Sequence, residues 1–193
     1  VIIAFETALV AQIFGAVIFV VNGIGIAMTR ELGPLMTAIL FAGRSGSAFA
    51  AQLGTQKVNE ELNALTTFGL SPMYFLVVPR LIASSLVVPL LSVFATILGI
   101  LGGGLVMAMY DITYTQFYVQ LLKSVTVTDI VFGLVKAVIF GFVIALIGCQ
   151  CGMNTGAGAA AVGSSTTKSV VKSIIWIVVI DGAAALLTNR LGI

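Results

Sequence analysis

The sequence has very few charged residues and no histidine. Asp, Glu, Lys and Arg make up 8% of its 193 residues, whereas apolar residues make up 60%. A soluble domain carries roughly 25% charged residues, because polar side chains must cover its surface. This chain lacks the charge to cover a water-soluble globule, so much of its surface must face lipid. Its net charge of +2, without any run of Lys and Arg, also argues against a nucleic-acid partner.

Metal ligands are scarce as well. The two cysteines, Cys149 and Cys151, stand one residue apart, whereas a structural zinc site uses about four ligands. We interpret both cysteines as small apolar residues and expect no metal site. The acids are scattered, and there is no histidine for acid–base catalysis. The glycines of 152–163 match neither GxxxxGK[ST] nor GxGxxG, so we expect no bound nucleotide or other cofactor and no enzyme activity of this chain alone.

What the sequence does contain is long apolar stretches separated by short polar ones. A membrane-spanning helix needs about 20 mainly apolar residues. We therefore predict an all-α fold, a polytopic bundle of transmembrane helices that forms a single domain over 1–193. The clearest spans are 73–109, 130–151 and 170–187.

Residues 20–53 form a longer apolar stretch than one straight span requires. They are either one long helix bent at Gly33-Pro34, which we favour because the first half is short and glycine-rich, or two short spans joined there. A kink is expected in both cases, since proline removes a backbone donor. The apolar residues 1–14 are too few to span alone. They indicate the last part of a truncated first span, followed by a turn over 15–19.

The most polar part of the sequence predicts a short amphipathic helix over Thr55–Phe68, outside the hydrocarbon, that ends at Gly69. Its apolar stripe consists of Val58, Leu62, Leu65 and Phe68. Helices that bind lipid surfaces are usually rich in Lys and Arg, whereas this one carries Lys57 against Glu60 and Glu61. We therefore expect the helix to dock on a protein partner rather than on lipid.

Two further segments are expected outside the hydrocarbon: a short extracytoplasmic helix within 110–128 and a loop of small residues over 152–168. Orientation follows from Lys and Arg, because these residues collect in cytoplasmic loops. One side carries Lys57, Arg80, Lys168 and Lys172, and the other carries Lys123 and Arg190. We therefore predict that the amphipathic helix and the small-residue loop are cytoplasmic.

Five charged residues fall within apolar stretches, where burying a charge costs roughly 3 kcal/mol or more. They are Glu6, Arg30, Glu31, Arg44 and Asp181. Each should face the interior of the bundle, a wet cavity or another charge. We expect Glu6, Arg30 and Glu31 to line a polar substrate pathway. We expect Arg44 and Asp181 to form internal ion pairs, and the small residues around Arg44 allow close helix packing.

Several short motifs occur in order along nearly the whole chain. They are Arg30-Glu-Leu-Gly-Pro34, Ala42-Gly-Arg-Ser-Gly-Ser-Ala48, Gly54-Thr-Gln-Lys-Val58, Glu60-Glu-Leu-Asn-Ala-Leu65, Val78-Pro-Arg80, Gly99-Ile-Leu-Gly-Gly103, Lys136 with Phe140-Gly141, and Gly163-Ser-Ser-Thr-Thr-Lys168. In this combination they resemble the MlaE/YrbE family, the permease subunits of ABC transporters that work with MCE proteins. The resemblance is specific, because no single piece is a generic hydrophobic pattern.

The resemblance implies a five-span fold and transport of phospholipid or a related lipid between membranes. It implies a complex of two permease copies, two cytoplasmic ATPases that use ATP, and an extracytoplasmic ring of MCE-domain subunits. It makes Thr55–Phe68 the coupling helix that docks on the ATPase, and it places Glu6, Arg30 and Glu31 on the segments beside the lipid cavity. Compared with the family, the chain lacks the N-terminal interfacial helix and most of the first span.

Two other classes of function stay open at this point. An ion-coupled secondary transporter or channel would use Glu6, Glu31 and Asp181 as an ion relay, and a purely structural membrane subunit would use none of them. A transporter of the resembled family would differ from both of these classes, because its energy comes from ATP that a partner chain uses. The expected location is the inner membrane of a bacterium, with the inner envelope of a chloroplast as the less favoured place.

Overall fold

The computed structural model describes residues 2–13 and 17–191, with the side chains of Asn189 and Leu191 left aside. These residues form seven helices and, within the described ranges, no strand. The helices are α1 (Ile2–Ile13), α2 (Val17–Val58), α3 (Glu61–Thr67), α4 (Met73–Ala108), α5 (Tyr114–Ser124), α6 (Val127–Met153) and α7 (Ala159–Leu191).

Four of these helices are long and apolar enough to cross a membrane: α2, α4, α6 and α7. Their lengths of 42, 36, 27 and 33 residues all exceed the roughly 20 residues that a span needs. Helix α1 is apolar but has only 12 residues. The chain is therefore an all-α, polytopic membrane protein, as the sequence predicts.

Helix α2 is continuous, so the interpretation of 20–53 as one helix is confirmed and the two-span alternative is wrong. It contains two wide π-helical turns, Met28–Leu32 and Ala42–Gly46. In the first turn the Gly33 amide donates to the carbonyl of Met28, five residues back. Because the turn is wide, the ring of Pro34 fits without ending the helix. Residues 17–19 are helical, so the turn predicted over 15–19 is wrong there, and its first two residues lie outside the described part.

The predicted helix Thr55–Phe68 is wrong as a single element. Helix α2 continues through Val58, Glu60 takes a left-handed backbone conformation with a φ of 62°, and the short helix α3 follows. The left-handed residue breaks the helical phase, so the apolar stripe is not continuous: Leu62 is buried, whereas Phe68 is 80% exposed. The sequence pattern could not show this break, because tertiary contacts hold the last turns of α2 in place.

The end of α3 is as predicted. Gly69 has a φ of 77°, which suits glycine. Its amide donates to the carbonyl of Thr66, and the amide of Leu70 donates to the carbonyl of Leu65, each at 3.0 Å. These two hydrogen bonds form a Schellman motif, which ends a helix and turns the chain sharply.

The chain divides into two compact units, and the single domain over 1–193 stays a prediction. Unit 1 consists of 1–36 and 90–135. Its apolar core is formed by residues of α1, α2, α4 and α5 together with one loop residue, namely Ala4, Ala8, Val20, Val21, Ile24, Val106, Met107, Phe117 and Ile112. Helix α5 begins with a capping box between Thr113 and Gln116, and its Gln120 donates to the side-chain oxygen of Asn22 at 2.9 Å. The short helix predicted within 110–128 is therefore present.

Unit 2 consists of 37–89 and 136–193, and small residues let its helices touch through their backbones. A Cβ atom on Gly148 would lie 2.7 Å from the carbonyl oxygen of Gly46, closer than real contacts allow. The same carbonyl accepts a hydrogen bond from the Ser169 hydroxyl at 3.2 Å. The close packing predicted around Arg44 is therefore confirmed.

The small-residue loop predicted over 152–168 is mostly helical. Helix α6 runs to Met153 and α7 begins at Ala159, so only 154–158 lie between them. Alanine is the best helix former, and Ala159–Ala161 open α7, so local propensity outweighs the small-residue composition that indicated a loop. The Thr155 hydroxyl joins the two helix ends by hydrogen bonds to Ser165 at 2.9 Å and to the Cys151 carbonyl at 3.2 Å.

Candidate functional site

Two largely apolar cavities lie among the described residues of unit 1. The larger, of about 470 Å³, lies among α1, α2 and α4. The smaller, of about 300 Å³, lies among α2, α4, α5 and α6. The larger cavity is lined by Ile2, Ile3, Ala4, Thr7, Val20, Gly23, Ile24, Ala27, Met28, Leu32, Gly99 and Gly103. Gly99 and Gly103 let the side chains of Met28 and Ile24 pack closely against α4 at this cavity, since a Cβ atom on either glycine would run into them.

Arg30 is held by the start of α6 in the same unit. Asp129 accepts hydrogen bonds from the amide of Thr126 at 3.0 Å and from its hydroxyl at 2.6 Å, which caps the helix. The other carboxylate oxygen of Asp129 lies 3.4 Å from Nη1 of Arg30. The guanidinium carbon of Arg30 is also 5.0 Å from the ring centre of Phe132. Two contacts on one helix therefore fix the position of this charge.

The other two residues predicted for the substrate pathway differ in their exposure. Glu6 is exposed on α1, and Glu31 is half-buried in the first π-helical turn of α2. None of Glu6, Arg30 and Glu31 lines either of the cavities described above, but their sequence neighbours Thr7 and Thr29 do. The contact of these three charged residues with substrate stays a prediction.

Asp181 forms an internal ion pair, as predicted. Its carboxylate lies 2.6 Å from the ammonium of Lys136, whose side chain is only 2% exposed. The pair joins α6 to α7 within unit 2. Arg44 is different, because it is exposed on α2 and no ion pair to it is found among the described residues.

The end of unit 2 where α2 finishes brings several chain segments together. Nζ of Lys57 donates to the carbonyl of Met153 at 2.8 Å, and Gly54 lies against Thr155. These contacts hold the last turns of α2 beside the end of α6. Helix α3 follows directly, with Glu60 and Glu61 exposed at its start. A charged and largely uncovered short helix between two long apolar ones is suited to contact a partner outside the membrane.

Sequence reasoning missed the partners of the buried charges. Asp129, Phe132 and Lys136 lie in or beside the span that it found, but none was predicted to meet Arg30 or Asp181. A signal was present: a lysine and an acid in two spans need each other, because an uncompensated charge in the bilayer is costly. Which acid faces which base depends on helix rotation, and apolar sequences with weak periodicity do not define that rotation.

Residues 1–187 match the family described as Permease MlaE. The chain belongs to the MlaE permease family. It is 40% identical over 165 residues to a probable ABC transporter permease protein of Synechocystis sp., which covers 85% of this chain and 63% of that protein. It is 38% identical over 156 residues to a probable ABC transporter permease protein of Rickettsia typhi, which covers 80% of this chain and 60% of that protein.

One relative of this MlaE permease comes from a plant. The chloroplastic protein TRIGALACTOSYLDIACYLGLYCEROL 1 of Arabidopsis thaliana is 38% identical over 159 residues, which cover 82% of this chain and 45% of that protein. The chain thus spans less than two thirds of the length of these relatives. Bacterial and chloroplast relatives are both consistent with an integral membrane protein.

Proposed function

We propose that this chain is the transmembrane permease part of an ABC transporter that moves a phospholipid or related lipid between membranes. Two relatives are named as probable ABC transporter permease proteins. The name of the chloroplast relative is that of a diacylglycerol glycolipid. Family membership supports the class of transporter, and the chemistry of the cavities supports the class of substrate.

The apolar lining of the cavities in unit 1 favours lipid over ions. Of the described residues that line the larger cavity, Thr7 alone has a polar side chain and none is charged. The smaller has the hydroxyls of Thr29, Ser92 and Thr96 and otherwise apolar residues and glycine. Ion pathways are built from charged side chains or rings of carbonyl oxygens, whereas acyl chains need apolar walls. The ion-coupled alternative is therefore less well supported.

The energy would come from a partner, because the sequence carries no nucleotide-binding motif. We propose a cytoplasmic ABC ATPase that docks on α3 and the chain beside it. This segment connects α2 to α4, so a push on it reaches two spanning helices at once. A second copy of the chain and an extracytoplasmic MCE-domain protein complete the proposed assembly, in a bacterial inner membrane or, less favoured, the chloroplast inner envelope.

The test is lipid transfer by the full-length permease, reconstituted in liposomes with its ATPase and MCE partners. We expect transfer of a fluorescent phospholipid to need ATP and to stop when the ATPase carries an inactive nucleotide site. The permease alone should neither bind nor hydrolyse ATP. Dissipating the ion gradients should leave transfer unchanged. Transfer that follows the ion gradient without ATP would instead support a secondary transporter.

A further inference from the structure

Unit 2 contains a polar pocket where α2 ends and α4 begins. Its volume is about 390 Å³, and it is lined by Ala51, Gln52, Thr55 and Gln56 of α2 and by Arg80 of α4. Thr55 and Gln56 follow Gln52 by three and four residues, which places both near Gln52 on one face of the helix. Of the described residues that line the pocket, none is acidic. It therefore combines one positive charge with several uncharged hydrogen-bonding groups.

Two polar atoms at this pocket are buried and lack a hydrogen-bond partner in the described part of the chain. They are Nη1 of Arg80 and Oε1 of Gln56. Most buried polar atoms in folded proteins have a partner, so each such atom needs an explanation. One is a donor that carries positive charge and the other is an acceptor. A ligand that satisfies both must offer an acceptor to Arg80 and a donor to Gln56, and an anionic acceptor makes the stronger hydrogen bond to a cation.

The remaining contacts of Arg80 do not neutralise its charge. Nη2 lies 3.4 Å from the side-chain oxygen of Gln52, the guanidinium carbon is 5.8 Å from the ring centre of Phe49, and the side chain of Cys149 also contacts the guanidinium. Within the described ranges no carboxylate forms an ion pair with Arg80. Its guanidinium is thus held in place by an amide, a thiol and an aromatic ring, none of which is an ion-pair partner for its positive charge.

The pocket lies at the end of unit 2 where chain segments leave the membrane. Lys57 joins the end of α2 to the end of α6 at the same level. Tyr74 and Phe75 at the start of α4 are 78% and 60% exposed, and aromatic side chains of this kind collect at membrane–water interfaces. Long cationic side chains near the ends of spanning helices reach toward the headgroups. We therefore expect the phosphate groups of lipids to lie at the same depth in the membrane as Arg80.

We propose that this pocket binds the headgroup of a phospholipid in the leaflet at this end of unit 2. The phosphate accepts hydrogen bonds from Arg80, whose planar guanidinium suits two oxygens of one phosphate. A hydroxyl or ammonium of the same headgroup donates to Oε1 of Gln56. The pocket is not one of the two apolar cavities proposed for the substrate, and lipid retention by the permease is measured without ATP.

The test uses the full-length permease in nanodiscs of phosphatidylcholine and phosphatidylglycerol, with retained lipid counted by native mass spectrometry. Phosphatidylcholine offers phosphate without a donor, whereas phosphatidylglycerol offers both. We expect the wild type to retain phosphatidylglycerol preferentially. Arg80→Gln should lower that retention about tenfold, since hydrogen bonds to charged groups have this magnitude. Arg80→Lys should keep part of it, because the charge stays but the planar fork is lost.

Gln56→Leu tests the second contact. It should remove the preference for phosphatidylglycerol over phosphatidylcholine while total phospholipid retention stays close to wild type. Lys172→Gln is the matched control, because Lys172 is an exposed cation of the same unit outside the pocket, and its loss should change neither quantity. Circular dichroism and size-exclusion chromatography show that each variant is folded, and Gln56→Leu decides the matter if Arg80→Gln does not fold.

Unchanged retention in folded Arg80→Gln overturns the proposal, as does equal retention of both lipids by the wild type. Competition with inorganic phosphate separates the two sources of the anion. If inorganic phosphate binds through Arg80 while lipid retention is the same in wild type and Arg80→Gln, the pocket is a site for free phosphate and the headgroup assignment is wrong. ATP-driven transfer measured on the same variants is an independent readout, so failure of the proposed transport function is distinguishable from failure of this site.

Discussion

At the scale of single residues, the ion pair between Lys136 and Asp181 is the clearest example of a charge that apolar surroundings force into a specific contact. The two groups lie 2.6 Å apart, and the lysine is almost fully buried. Removing one partner of a buried pair costs about 3 kcal/mol, whereas replacing both with apolar residues is often neutral. We therefore expect Asp181→Asn to lower the thermal unfolding temperature in nanodiscs, and Lys136→Met with Asp181→Leu to recover most of the loss.

The matched control for this prediction is Arg190→Gln on the same helix. Arg190 is exposed, so its loss should leave the unfolding temperature nearly unchanged. If Asp181→Asn has no larger effect than this control, the pair does not stabilise unit 2. If the apolar double variant is as unstable as the single one, the site needs these charges for a reason other than their mutual attraction.

At the scale of elements, α3 is the proposed contact with the ATPase, and its charges are the part that can be changed without disturbing the spans. Glu60→Lys with Glu61→Lys should weaken association with the ATPase about tenfold, because charges at the rim of an interface govern partner choice. Insertion in the membrane should stay as in wild type. The measurement is pull-down of the ATPase, with hydrolysis and lipid transfer followed in parallel.

Asp111→Lys controls for the charge reversal in α3. Asp111 is an exposed acid with a left-handed φ of 60°, like Glu60, but it lies in unit 1 between α4 and α5. Its reversal should leave ATPase association intact. Wild-type association and transfer in the α3 double variant would show that α3 is not the coupling element. It would then be a surface helix on the inner leaflet.

At the scale of the whole molecule, composition and apolar runs predict the all-α membrane fold and the positions of its spanning helices, since these depend only on length and hydropathy. What they miss depends on tertiary contacts. The stripe from Val58 to Phe68 predicts one helix, but Lys57 binds the end of α6 and Glu60 turns the chain, which no local pattern reveals. Likewise, the sequence identifies Arg30 as a buried charge without indicating Asp129, because partner choice depends on how the helices are rotated.

The brevity of α3 has a consequence for local stability. This helix has 7 residues, only Leu62 of them is buried, and left-handed residues at Glu60 and Gly69 stand on either side of it. A helix this short is marginal on its own, and the phase break at Glu60 uncouples it from the cooperative hydrogen-bond ladder of α2. Its amide hydrogens should therefore exchange with solvent far sooner than those of Leu53 or Gly54. A partner that binds only the folded form of α3 slows this exchange, and the slowing grows with the fraction of permease that has the partner bound. The exchange rate of the α3 amides therefore shows whether a partner is bound to the permease.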